Sequence, residues 1–316
     1  MDMQKLRSVS TWTWGLIVSA ALASLSLGLS EFQLILASQM LIAALFAMSL
    51  NIIMGFGGMV HFGHAAFYGL GAYTVAILVK DHNMPLWVAL PLAPVVSAVA
   101  GAVVGWFCVR RVRLYFSILT LAFGQILYVI VLSTAADFTG GDNGIHGIPV
   151  PAIISSARNY YLFTLLIFAL CFVALFIITK APFVLTLRAI RENAERAQFI
   201  GVDVRRHQLT TFIIGSFFAG IVGGLMAILN RFVGPDMLFW TTSSEPILGS
   251  LMGGMFSLTG PAVGAALLLG LHLFISQYTE FWPTVLGILT IIVVLVAPSG
   301  LVGLSNRYLG AARAEE

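Results

Sequence analysis

Residues able to do chemistry are few and widely spaced in this chain. His61 and His64 form the one close histidine pair, on a single face if helical, but no neighbouring carboxylate or thiolate completes a metal-ligand set. They read as residues that cap or line a helix start, and no metal or other cofactor is expected. A glycine loop that cradles phosphates needs a lysine to reach them. The lysines here, Lys5, Lys80 and Lys180, follow Gln4, Val79 and Thr179, so none fits that pattern. Any use of ATP would fall to a separate chain. Cys108 and Cys171 lie in apolar runs and read as packed thiols, with no disulfide framework.

The elements that hold these residues must be apolar. Of 316 residues, 59% are hydrophobic and 9% charged, against about 25% charged in an ordinary soluble domain. With mean hydropathy of +0.98, most of the chain faces lipid or other apolar helices. A net charge of +3, without a basic patch interleaved with aromatics, argues against nucleic-acid binding. No acid, base, thiol or metal set converges at useful spacing, which excludes most enzyme chemistry.

An ionisable group at the bilayer centre costs several kcal/mol, so charge-free stretches mark the spans. Residues 8–30, 82–109, 114–136, 159–179, 207–230 and 281–306 each fit one helix of roughly 20 residues. The stretch 32–79 holds Gly55-Phe56-Gly57-Gly58 and predicts two helices joined by a tight turn. The stretch 246–279, broken at Gly253-Gly254 and Gly260-Pro261, predicts two short or half-spanning helices. The expectation is an all-α polytopic membrane protein of about ten (9–10) transmembrane helices. With ten crossings and a cytoplasmic N-terminus, thirteen of the sixteen bases fall inside and only Lys80, Arg158 and Arg231 outside. The apolar run from Trp12 to Leu29 exceeds a signal-peptide core and predicts a retained helix. All thirteen acids, Glu245 among them, are expected at span ends or in loops, which disfavours a carboxylate relay for protons or sodium.

Four stretches stand above composition. Leu50–Tyr73 carries small residues at 57, 58, 63, 65, 66, 69, 71 and 72, compatible with irregular backbone beside a cavity or with a packing seam. Gly253-Gly254-Met255-Phe256 echoes Gly57-Gly58-Met59-Val60, which suggests an internal repeat of two five-helix halves divided in the 137–158 loop. In the third, Leu187, Ile190, Ala194, Ala197 and Ile200 recur at helical spacing, with Gly201 as a left-handed stop. That predicts a short amphipathic helix between two spans. Glu192 and Glu195 favour docking into a partner's groove over rest on anionic lipid. The fourth, Thr139–Pro149, is rich in glycine and reads as a solvated outside connector, with contact to an extracytoplasmic protein left open.

These stretches, together with Tyr115-Phe116-Ser117-Ile118-Leu119-Thr120-Leu121-Ala122-Phe123-Gly124, resemble the permeases of branched-chain amino acid ABC importers. Arg188-Ala189-Ile190-Arg191-Glu192 looks closest to the M-type subunit. The resemblance runs from about residue 35 to 305, and the chain is expected to be one permease domain over 1–316, which the glycine echo divides into half-repeats 1–136 and 159–306 and whose bases put both termini in the cytoplasm. The resemblance implies a bacterial inner-membrane location, a second homologous permease subunit, two ABC ATPase subunits and a periplasmic binding protein. It also implies a cytoplasmic coupling segment over 180–207, with Arg188, Arg191, Glu192, Glu195, Arg196 and Gly201 serving ATPase coupling. Asn51, Gly57, Gly58, His61, Gly63 and His64 would sit by the translocation path. Asp203 and Arg205 close the coupling segment. Related permeases serve urea, short-chain amides or aromatic acids. From the residues alone, an ion-coupled secondary transporter stays open.

Overall fold

The computed structural model describes residues 26, 28–111, 114–297 and 300–303. The expected span 8–30 and the bases Lys5, Arg7, Arg113, Arg307 and Arg313 lie essentially outside the described residues. Within them the chain is an all-α polytopic membrane protein with six helices of membrane length: Glu31–Phe56, Leu86–Cys108, Leu114–Thr134, Ala157–Lys180, Val204–Asn230 and Trp282–Gly303.

Helix α1, Glu31–Asn51, opens with a capping box in which Ser30 and Gln33 satisfy each other's backbone amides. It ends in a π-helical turn, Ile52–Phe56. Helix α2 is His64–Lys80, so the expected tight turn is a longer link over residues 57–63. Helix α3, Leu86–Cys108, tolerates Pro91 and Pro94 within a membrane span. Helix α4, Leu114–Val129, passes into a second π-turn, Ile130–Thr134.

Two-residue strands β1, Ile145–His146, and β2, Phe232–Val233, pair antiparallel with Ile145 opposite Val233. The Thr139–Pro149 stretch is therefore no free connector. Ile145 and Ile148 are buried, the Gly147 amide donates to the Arg231 carbonyl at 2.9 Å, and the His146 and Phe232 rings lie 4.4 Å apart. Ile145 and Ile148, three residues apart, pack beneath it, a signal hidden among the glycines.

Helix α5, Ala157–Lys180, leads to α6, Pro182–Glu192, and α7, Ala194–Phe199. The single amphipathic helix expected across this stretch is two helices. Asn193 adopts an extended conformation (φ −157°) and its side-chain oxygen accepts from the Arg196 amide, starting α7 afresh. Helix α8, Val204–Asn230, is capped by Asp203. After it come α9, Ser244–Gly253, α10, Thr259–Ile275, and α11, Trp282–Val296.

Lipid is as apolar as leucine, so helices associate through close packing and hydrogen bonds. Glycines supply the closeness where α2, α3 and α8 meet: a Cβ on Gly71 would strike the Gly220 backbone, and one on Gly223 would strike the Tyr68 carbonyl. Ser97 Oγ donates to the Phe67 carbonyl at 2.8 Å, and Tyr160 Oη to the Leu225 carbonyl at 2.6 Å. Large apolar side chains on α3, including Trp87, Val99 and Trp106, remain exposed, as a lipid-facing surface requires.

Candidate functional site: two glycine turns and the amphipathic helix pair

The sequence echo has a structural counterpart. At each glycine pair the second glycine takes a positive φ, 68° at Gly58 and 109° at Gly254, a conformation that L side chains rarely adopt. Each reverses the chain: the first between α1 and α2, the second between α9 and α10. The two turns also touch. Asn51 Nδ2 donates to the Ser257 carbonyl at 3.0 Å, and the Met255 carbonyl sits where a Cβ on Gly55 would be. Ser250 Oγ reaches the Ala47 carbonyl at 3.4 Å, while Gly270 lies beside Met40. Helix α9 thus descends alongside α1, and α10 climbs back.

Around the first turn, the structure gathers all six residues expected by the path, five of them buried. Asn51, His61 and His64 are fully buried, Gly57 and Gly63 are buried, and Gly58 is exposed. His64 Nε2 and Ser49 Oγ share a hydrogen bond of 2.8 Å, and the His64 ring stacks on Phe46 at 5.3 Å. His61 sits among Phe67, Phe116 and Phe212, 4.8 Å from the last, and neither of its ring nitrogens has a partner. The two rings lie 5.4 Å apart, and among the described residues no group of three or more His, Cys, Asp or Glu assembles. Gly63 packs directly on the Thr120 carbonyl, and Ser117 Oγ donates to the Val60 carbonyl at 2.8 Å. The Tyr115–Gly124 run is the buttress behind this turn. In this conformation these side chains form packing, with the exposed surface left to Gly58, Val60 and Phe62.

The pair α6 and α7 divides its charges between two tasks. Val184, Leu187, Ile190 and Ala197 are buried against the bundle. Arg191 turns toward the bundle as well: Nη1 donates to the Gly55 carbonyl, its stem fills the space against Gly58, and its guanidinium lies 5.1 Å from the Phe256 ring centre. One turn earlier, the Arg188 guanidinium is 5.5 Å from the Phe56 ring. Arg191 therefore touches both glycine turns at once. Glu192, Glu195, Arg196 and Gly201 face solvent, and so do Phe199 at 90% and Ile200 at 80% exposure. Of the five apolar residues at helical spacing, Leu187, Ile190 and Ala197 are thus buried while Ala194 and Ile200 are exposed, because the break at Asn193 rotates the face that α7 presents.

After β2 the chain runs along α2 in two short 3₁₀ turns, Pro235–Leu238 and Trp240–Ser243: Leu238 packs on Gly69, Ser243 Oγ accepts from the Ala65 amide at 2.9 Å, and α9 begins there. Glu245 therefore stands in the first turn of α9, near the start of α2. Phe199 and Phe256 were missed in the sequence; an aromatic at the end of a polar helix was the available signal for the first.

A profile of the family described as "Branched-chain amino acid transport system / permease component" matches residues 32–297. The chain is 28% identical over 312 residues to the high-affinity branched-chain amino acid transport system permease protein LivM of Escherichia coli K12, covering 89% of this chain and 73% of that protein. It is 22% identical over 286 residues to the LivH permease protein of Salmonella typhimurium, covering 82% and 91%. It is 27% identical over 243 residues to a probable LivM permease protein of Methanocaldococcus jannaschii, covering 69% and 68%. No solved structure gives a significant match. With a match extending from the start of α1 to the end of α11, the chain belongs to the family of branched-chain amino acid transport system permease components.

Proposed function

We propose that this permease component carries branched-chain or other hydrophobic amino acids across the cytoplasmic membrane by alternating access, driven by two separate ATPase subunits. It works beside a second, homologous permease and beneath a periplasmic binding protein. The chain crosses ten times with both ends cytoplasmic, counting the 8–30 run and the interrupted descent into α9 as crossings. Its half-repeats, 1–136 and 159–306, each contribute one glycine turn. The 180–207 segment is the coupling element.

The observation that carries this reading is the division of labour on α6 and α7. Exposed Phe199 and Ile200, flanked by Glu192, Glu195 and Arg196, form an apolar knob with a charged rim, the composition of a docking hot spot. Arg188 and Arg191 on the opposite side grip the ends of the membrane turns. When ATP closes the ATPase dimer, the knob moves with its cleft, and Arg191 carries that displacement to both glycine turns. The binding protein supplies most of the affinity, so the path can bind weakly and release quickly. Ion-coupled secondary transport has one observation on its side, the deep carboxylate of Glu245. Membership of a permease-component family weighs against it.

The test is the association of this chain with its ATPase subunits in detergent, measured by titration calorimetry. Phe199→Asp is expected to weaken it at least tenfold while the chain's unfolding midpoint stays unchanged. Equal affinity for wild type and variant would remove the knob from the interface.

A further inference from the structure

Glu245 occupies a position that the permease reading does not account for. Ser243 bonds to Ala65, fifteen residues from Lys80 along α2, or about 22 Å at 1.5 Å per residue. From the other side, Ser250 meets Ala47, nine residues before Phe56, and Glu245 is a further turn and a half along α9. That places its carboxylate roughly 20 Å from the inner end of the first span, close to the bilayer midplane. At this depth its side chain is exposed on the surface of the single chain.

A carboxylate at mid-depth facing lipid is strongly disfavoured, so the face that exposes Glu245 is a water-filled path or a subunit contact. The backbone favours the path. Between β2 and α9 the chain makes only two short 3₁₀ turns, Pro235–Leu238 and Trp240–Ser243, joined at Phe239, and such interrupted backbone at membrane depth is tolerated where it is buried in protein or lines water. Trp240, in the 3₁₀ turn that leads into α9, is 47% exposed, and the Tyr128, Phe239 and Trp240 rings follow one another at 5.1 and 6.1 Å. Tyr68 lies within electrostatic range of the carboxylate. An exposed carboxylate on a segment that also exposes an indole suits an organic ammonium group.

Building on the transport reading, we infer that Glu245 lines the translocation path and receives the α-ammonium group of the amino acid in passage. One carboxylate in an otherwise apolar passage compensates the cation's lost hydration without holding the substrate tightly.

The experiment uses the complete complex reconstituted in proteoliposomes, with leucine as the probe. Glu245→Gln, which keeps the shape and removes the charge, is expected to lower ATP-driven leucine uptake at least tenfold, with the assembled amount within twofold of wild type. Glu245→Asp is expected to recover part of that uptake. Glu245→Cys is expected to react with a charged, water-soluble thiosulfonate in the assembled complex. Cys108 and Cys171 are buried and add little background. Uptake by Glu245→Gln equal to wild type, or a Glu245→Cys thiol that stays unreactive after assembly, overturns the inference. Failed assembly of Glu245→Gln with a normal unfolding midpoint also overturns it, because the carboxylate would then serve a subunit contact. A wild-type complex that moves no amino acid would instead overturn the transport reading.

Discussion

The two glycine turns share a sequence pattern and a positive φ, but they are held in different ways. The first is buttressed from outside: α4 presses the Thr120 carbonyl on Gly63, Ser117 holds Val60, and a buried histidine pair fills the space behind. The second is held from within, by glycine against glycine. A Cβ on Gly253 would overlap the Gly260 carbonyl, one on Gly264 the Gly249 carbonyl, and one on Gly300 the Gly254 backbone. The first turn is thus braced by side chains from another helix, and the second depends on backbone contacts with no room for a side chain. Arg191 and the Asn51–Ser257 bond join them. Under the proposed transport cycle, such a shared fastening would let the two turns move together.

The largest expected effect breaks the second turn. Gly253→Ala leaves no side chain able to give way, so a loss of about 3 kcal/mol is expected, at the upper end for overpacking. Denaturant unfolding in detergent measures it, and a loss below 1 kcal/mol would show that this hairpin is loose. Next comes the fastening. Gly58→Ala is expected to cost about 2 kcal/mol, from its left-handed φ and from displacement of the Arg191 stem. Because the second part disappears once the stem is gone, Gly58→Ala with Arg191→Ala should fall short of additivity by about 1 kcal/mol. Strict additivity would separate Arg191 from the first turn.

Asn51→Ala should cost about 1 kcal/mol, since it orphans the Ser257 carbonyl but also removes an Oδ1 that is already unpaired. The smallest effect is expected at His61. Its ring nitrogens have no partners and its neighbours are aromatic, so His61→Phe should change stability by less than about 1 kcal/mol in either direction. A loss above 2 kcal/mol would reveal a hydrogen-bond partner for the imidazole.

Physical reasons separate what was legible in the sequence from what was not. The membrane helices were legible because charge is excluded from a span. Both glycine turns were legible because a chain reversal with φ > 0 selects glycine. The break at Asn193 was hidden because Leu187, Ile190, Ala194, Ala197 and Ile200 keep one helical spacing across it, although Ala194 and Ile200 are exposed. The inward turn of Arg191 depends on Gly55 and Phe256, residues far away in sequence that no local signal connects. Glu245 was expected at a span end because each charge was treated as a boundary, and it does stand at the start of α9; that the chain before it runs back along α2 depends on Gly69 and Ala65, which no local signal connects to it. For His61 and His64, spacing alone could not distinguish a wall from the packing behind one.

The central claim is that this chain is a passive gate powered by other subunits. Its most direct test is leucine uptake into proteoliposomes holding this chain, its partner permease and the ATPase subunits, with loaded binding protein outside and ATP within. The account predicts uptake that stops when ATP or the ATPase subunits are omitted and that does not respond to an imposed proton or sodium gradient. Gradient-driven uptake by this chain alone would contradict it.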